Sequence, residues 1–284
     1  MFSDYFKVLL HYLLPKNTLT TLAGLLAHVK NPFIKNAMIR CFIAKYQVNL
    51  SEAEEENYQN YEDFNAFFIR KLKPTCRPIA QCDIVSPVDG YLSESGLIQS
   101  HSLLQAKGRY YGLEELFAGD KERALQFSNG LYATLYLSPK DYHRVHMPID
   151  AVLKEMIYVP GQLFSVQPMT TRVIPKLFAR NERVIVFFET SVGLMAMVLV
   201  GATIVGAIGT TWQGDIKRSK IQTRTTFPTT LEEKTSFLQG EEMGYFKLGS
   251  TVILLFADSK QVHWVPGLQA GSPIQYGNPF GIIE

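Results

Sequence analysis

From Thr190 to Gly214 the chain carries no charged side chain. An apolar stretch of that length has two physical outcomes. It crosses a bilayer as a helix, which takes about 20 residues, or it folds into short strands buried inside a protein. Gly193, Gly201, Gly206, Gly209 and Gly214 punctuate it, and Met197-Val198-Leu199-Val200 and Thr203-Ile204-Val205 are rich in β-branched residues. Glycine weakens a helix and marks turns between strands, so the stretch predicts buried strands joined by turns.

The same grammar runs through most of the chain. From Ile84 onward, apolar runs of four to eight residues alternate with Gly and Pro, as in Leu131–Leu137 and Val184–Phe188. A β-rich domain follows, with one helix expected over Leu113 to Ala118 and short strands and tight turns near Gly267, Gly271, Gly277 and Gly281. At 284 residues, 46% hydrophobic and 19% charged, the chain is globular rather than disordered. Cys41, Cys76 and Cys82 show no Cys-x-x-Cys spacing and suit a reducing compartment. The start lacks the basic region and small-residue cleavage site of a secretory signal.

Residues 1 to about 48 read differently, as three short helices. Ser3 or Asp4 caps the first and Pro15 stops it, Thr18 or Thr20 caps the second, and Pro32 fits the first turn of the third. Residues 1–50 hold Lys7, Lys16, Lys30, Lys35, Arg40 and Lys45 against Asp4 alone, a net of +5. Apolar faces flanked by lysines either pack as core or lie flat on anionic lipid, where each cation contributes about 1 kcal/mol. The acidic segment Ser51–Glu62 comes next, then a helix over Phe64–Arg70, with Pro74 and Pro78 marking the crossing into the β-rich part.

Three weak signals carry candidate chemistry. His143 and His146 stand three apart, but Pro139 and Pro148 crowd them and no third ligand follows with zinc spacing, so no metal is expected. Asp89-Gly90 alone is most often a turn, and so is Gly249-Ser250 before the apolar run Val252–Phe256. The segment around Ser250 lacks the outer glycines of the Gly-x-Ser-x-Gly nucleophile elbow.

Taken together these segments resemble the phosphatidylserine decarboxylase proenzymes of bacteria and mitochondria. The resemblance rests on Leu248-Gly249-Ser250-Thr251, the run Asp141–Pro148, Ser86–Gly90, Gln105–Gly108, Tyr158–Val166, Phe178–Arg183, Val200–Thr203 and Gly244–Lys247. It implies self-cleavage between Gly249 and Ser250 into a β chain, 1–249, and an α chain, 250–284, which stay associated. His146, oriented by Asp89, takes the Ser250 hydroxyl proton; acyl shift, β-elimination and loss of ammonia leave a covalent pyruvoyl cofactor derived from Ser250. That group forms a Schiff base with phosphatidylserine and releases CO2 to give phosphatidylethanolamine. His143 or His146 protonates the resulting carbanion, imidazole titrating near neutral pH; His146 is assigned to processing and His143, with Ser165, to the substrate.

The fold class expected is α+β: a helical, membrane-associating segment over 1–74, then a mainly antiparallel β catalytic domain over 75–284. The implied partner is phosphatidylserine in an anionic membrane, with a homodimer through the helical segment compatible and no nucleic acid. The expected location is peripheral, on the cytoplasmic side of a bacterial cell membrane rather than the mitochondrial inner membrane. Two rivals share the residues: a Ser-His-Asp lipid hydrolase with an intact Ser250, and a membrane-binding β domain in which Gly249-Ser250 is a turn.

Overall fold

The structure is a computed structural model that describes residues 16–106, 108–203, 207–227, 235–247 and 250–284. The first expected helix and Gly249 lie outside the described residues.

The charge-free stretch, of which 204–206 lie outside the described residues, forms the strands Gly193–Val200 and Ala207–Thr210 with turns beside them. Arg183–Thr190 and Gly193–Val200 pair as an antiparallel hairpin in continuous register from Arg183↔Val200 to Thr190↔Gly193. Gly193 sits at the turn with φ +90°, a conformation glycine adopts without a Cβ penalty. Among the described residues no helix is long and apolar enough to cross a membrane.

These strands belong to a nine-stranded antiparallel sheet among the described residues. Its order is Thr223–Thr226, Ala151–Val159, Arg183–Thr190, Gly193–Val200, Ser250–Phe256, Leu131–Leu137, Gly90–Leu97 and Pro273–Ile274, with Ser236–Phe237 also paired to Ala151–Val159. Strand side chains alternate between faces, and here both faces are covered. Val184, Val186, Phe188, Val252 and Leu254 enter one core, and Ile185, Phe187, Ile253 and Leu255 enter the other. Burial on both sides explains why the central runs are continuously apolar rather than alternating. Each such side chain, fully buried, contributes about 1.5–3 kcal/mol.

Antiparallel pairing brings three strand ends to one edge. Ser250 opens its strand opposite Leu137, and Thr251 lies opposite both Tyr136 and Val200. A smaller sheet approaches the site from another direction: Glu242–Lys247 pairs with Arg144–His146 and with Ala207–Thr210. Its last residue, Lys247, precedes Ser250 by only two positions outside the described residues.

The helical segment is built as expected in most particulars. Pro32–Tyr46 starts on Asn31, whose side chain accepts from Phe33 N and Ile34 N, with Pro32 in the first turn. It packs Ile39 against Phe64, Phe67 and Phe68, and Phe64–Phe68 forms a short helix capped by Asp63. The preceding helix differs from expectation. It runs Lys16–Ala27, so Thr18 and Thr20 lie within it and neither caps it. A cap preference of about 1 kcal/mol yields here to an earlier helix start with Thr20 buried.

The +5 charge is also less available than the sequence suggests. Lys35 is buried and donates to the carbonyls of Gln59 and Tyr61, and Lys30 pairs with Glu62. Acidic and basic segments therefore partly neutralise each other. Arg40 and Lys45 remain exposed.

Two bonds stitch the helical segment to the β core beside the histidines. Arg144 Nε donates to Ile69 O at 2.8 Å, and Arg70 Nη2 to Lys140 O at 3.0 Å.

Candidate active site

Ser250 is fully buried, and its Oγ has no hydrogen-bond partner among the described residues. A buried hydroxyl normally finds a partner; among the described residues Ser250 shares this lack with eight other side chains, its neighbour Thr251 and His143 among them. The strand it heads is bonded on both sides, to Leu131–Leu137 and Gly193–Val200, and every residue in it is buried.

His143 also carries an unpartnered atom. Its Nδ1 is 2.8 Å from Asp141 O, its ring rests on Phe68 with centroids 4.2 Å apart, and Nε2 is buried with no partner among the described residues. A carbonyl only accepts, so the proton sits on Nδ1 and Nε2 presents a lone pair. The backbone ties His143 to the strand Glu242–Lys247: Phe246 N donates to His143 O at 3.0 Å.

His146 lies on the short strand Arg144–His146, not on a helix. Its Nδ1 bonds Gly240 O at 2.9 Å, and its Nε2 is 3.0 Å from the Tyr142 hydroxyl. By the same reasoning Nε2 is the basic nitrogen, accepting from Tyr142.

Asp89 is not bonded to His146. Arg77 holds it through Nε, at 3.2 and 3.1 Å to the two oxygens, and through Nη2 at 2.7 Å, while Tyr276 N donates to Oδ1 at 2.8 Å. The two residues meet instead through Tyr276, whose ring stacks on His146 at 3.7 Å between centroids. Gly90, next to Asp89, lets the strand Leu131–Leu137 approach closely. A Cβ there would lie 2.2 Å from Tyr136 O, on a backbone at φ +149°.

Ser165 lies elsewhere, half-buried, on the wall of a cavity of about 530 Å³. The helices contribute Leu26, Met38, Phe42 and Phe68 to it, the strand Leu131–Leu137 contributes Tyr136 and the loop after Gly193–Val200 contributes Ala202, with Lys45 as its lysine. The wall is held from behind by Asn181, fully buried, which exchanges bonds with Phe164 N and O and donates to Gly201 O. Phe68 lines this cavity and also touches the His143 ring, so one side chain connects the two places.

Burial depresses both imidazoles, His143 to about 3 and His146 to about 4. The backbone acceptors oppose this only in part, and nearby Arg70 and Arg144 lower the two further. The expectation of a near-neutral titration is therefore corrected: both rings are neutral bases at pH 7.

The sign of the stability effect follows. An unfolded histidine takes its proton near pH 6.5, the folded ones only near 4 and 3, so the unfolded chain binds more protons between. Stability is complete above pH 6.5 and falls as pH drops toward 4, by about 1.4 kcal/mol per pH unit for each histidine. Melting curves from pH 7 to 4.5 should show His143→Asn flattening this acid slope. An identical slope in the variant would exclude a buried, neutral His143.

Sequence reasoning assigned no role to Arg77, Tyr142, Asn181, Gly240 or Tyr276. Their roles depend on contacts across the chain; the Tyr276–Asp89 bond alone spans 187 positions.

Comparison with known proteins places this arrangement. A family model described as phosphatidylserine decarboxylase matches residues 64–282, and a second, described as PSD, matches residues 6–47. The phosphatidylserine decarboxylase proenzyme of Legionella pneumophila strain Lens is 59% identical over 283 residues, 100% of both chains. That of Aliivibrio fischeri strain ES114 is 48% identical over 285 residues, 99% of each, and that of a Polaromonas species, strain JS666, 47% over 277 residues, 97% of each. The protein is thus a decarboxylase, a carbon–carbon lyase. More particularly, the chain belongs to the phosphatidylserine decarboxylase family.

Proposed function

We propose that the chain cuts itself between Gly249 and Ser250, and that the matured enzyme converts phosphatidylserine to phosphatidylethanolamine and CO2. The observation that carries this is the orphaned Ser250 hydroxyl heading a strand bonded on both sides, in a chain alike over its full length to proenzymes of that name.

His146 Nε2 takes the Ser250 hydroxyl proton, with the bonded Tyr142 hydroxyl turning aside or relaying it. The oxygen attacks the Gly249 carbonyl carbon, the peptide C–N bond breaks, and an ester links the two chains. β-Elimination removes the Ser250 Cα proton to a base, the C–H electron pair forms the Cα=Cβ bond, and the Cβ–O bond breaks to leave Gly249 with a carboxylate. Water then displaces ammonia from the resulting dehydroalanine, leaving a keto group at the head of residues 250–284. The residues present suit this precursor: the hydroxyl is free to react, and the strand behind it holds the small chain in the sheet after scission. The pyruvoyl ketone supplies an electron sink beside the substrate amine, as pyridoxal phosphate does from a separate molecule.

The remaining work falls to side chains. The cavity's apolar wall suits acyl chains, Lys45 suits the phosphodiester charge, and Ser165, on the same wall, supplies a hydroxyl suited to the headgroup. His143 offers a neutral Nε2 in a dry setting, fit to accept a hydrogen bond or proton from the substrate. Its depressed pKa makes it a poor resting acid, so a proton it returns to the carbanion must first be collected during the reaction.

Membrane placement is part of the same proposal, with residues 1–74 as the lipid-facing segment and 75–284 as the catalytic domain. On the helix Lys16–Ala27, Leu22, Leu25 and Leu26 are 53%, 65% and 53% exposed, and Phe33 on the next helix is 87% exposed. Such a face lies in the lipid interface without spanning it. Each side chain returned to an apolar environment contributes about 1.5–3 kcal/mol. Leu25→Glu with Phe33→Glu should therefore weaken binding to anionic vesicles at least tenfold and leave self-cleavage intact. Unchanged binding would remove the anchor reading.

Denaturing gels with intact-mass measurement test the proposal as a whole. Two fragments ending at 249 and starting at 250, the smaller bearing a carbonyl, are expected. A single chain that reacts with serine-directed phosphonates would instead identify a hydrolase, and an inert single chain a binding module.

A further inference from the structure

Tyr276 lies on the C-terminal side of the Gly249–Ser250 bond, yet it reaches the groups that would cut that bond. Its backbone N–H donates to Asp89 Oδ1 at 2.8 Å. Its ring lies on the His146 ring, 3.7 Å between centroids and 20° between planes. Its hydroxyl donates to Gly240 O at 2.7 Å, the same carbonyl that receives His146 Nδ1 at 2.9 Å. Gly240 holds that carbonyl on a turn at φ +81°.

We propose that Tyr276 is a positioning residue for self-cleavage, clamping His146 in its Nδ1–H tautomer and carrying the influence of Asp89 to it. This rests on the reading of His146 as the processing base. In a Ser-His-Asp triad the carboxylate bonds the imidazole directly and sets its tautomer. Here a backbone carbonyl takes that place, and Tyr276 fixes both partners: the stacked ring sets the imidazole plane, and the hydroxyl pins the acceptor. Asp89, itself gripped by Arg77, anchors the tyrosine backbone. Residues after the scissile bond thus help assemble the machinery that cuts it. The C-terminal segment is then required for maturation as well as for holding the fragments together.

The test follows self-cleavage of freshly synthesised full-length chain over time and pH, in wild type, Tyr276→Phe, Tyr276→Ala, Tyr276→Leu and His146→Ala. Tyr276→Ala should slow cleavage at least tenfold. It also wets the imidazole, so the acid limb of the rate should climb from near pH 4 toward 6.5. Tyr142, Arg144 and Glu242 neighbour His146, Asp89 bonds the Tyr276 backbone, and all four are unchanged in every variant compared for this shift. Tyr276→Phe keeps the ring and the backbone bond, and should restore the wild-type limb with a rate within about threefold. Tyr276→Leu fills the space without a flat ring or hydroxyl, and should behave as the alanine variant even if the latter fails to fold. A general loss of structure would lower the rate at all pH values without moving the limb.

Cleavage of Tyr276→Ala or Tyr276→Leu at the wild-type rate with an unmoved limb would overturn the inference. Normal cleavage in His146→Ala would instead overturn the reading of His146 as base, so the two failures are distinguishable.

Discussion

Ser250→Ala should stay a single full-length chain and lose decarboxylation altogether. The substitution removes the one oxygen that can attack the Gly249 carbonyl, and no acyl shift, elimination or keto group can follow. The variant should also be a clean one. Ser250 Oγ makes no hydrogen bond among the described residues, and alanine is nearly isosteric, so the strand Ser250–Phe256 keeps its pairing on both sides. Its melting temperature should therefore stay close to that of freshly synthesised wild-type chain that has not yet been cut. Intact mass reads the cleavage, and CO2 release from labelled phosphatidylserine reads the activity. Full decarboxylation by this variant would sink the pyruvoyl proposal.

His143→Asn should separate the two reactions. Asparagine can still donate to Asp141 O, as the imidazole Nδ1 does at 2.8 Å, but it has nothing where Nε2 stood. Self-cleavage is expected to proceed, because His146 and its contacts to Gly240 and Tyr142 are untouched. Decarboxylation should fall by about 10²–10⁴-fold, the usual contribution of one general acid–base group, mostly in kcat. The ring also meets Phe68, which lines the cavity, so some rise in KM is expected as that contact loosens. A cleaved enzyme with normal turnover would remove His143 from the chemistry. An uncleaved chain would reverse the assignment of the two histidines.

Asp89 calls for a different kind of reading. It forms a buried pair with Arg77, and breaking such a pair by removing one partner costs about 3–5 kcal/mol. Slow maturation in Asp89→Asn would therefore mix lost positioning with lost stability. Tyr276 substitutions avoid that confusion, since they leave the ion pair in place.

Much of the fold was legible along the chain because its signals are local. Glycines between β-branched runs announced the strands around Gly193, and Pro32 announced the first turn of a helix. The first-turn threonines misled, since a hydroxyl fits a helix interior as well as a cap when packing favours an earlier start. Charge was misleading for another reason. Lys35 and Lys30 count toward +5 in the sequence, but one is buried on carbonyls and the other meets Glu62.

The site shows the same division more sharply. Sequence by itself determined which residues could carry the chemistry, and through Val252–Phe256 that a strand would follow Ser250, because side-chain type and period are properties of neighbours. Only the tertiary structure decided how those residues stand. It put His146 on Gly240 O across 94 positions and Asp89 on Tyr276 across 187, and it buried both imidazoles away from neutral titration. Hydrogen-bond partners, tautomers and desolvation are set by what surrounds a group in space, and no local pattern encodes which distant carbonyl or ring will be there.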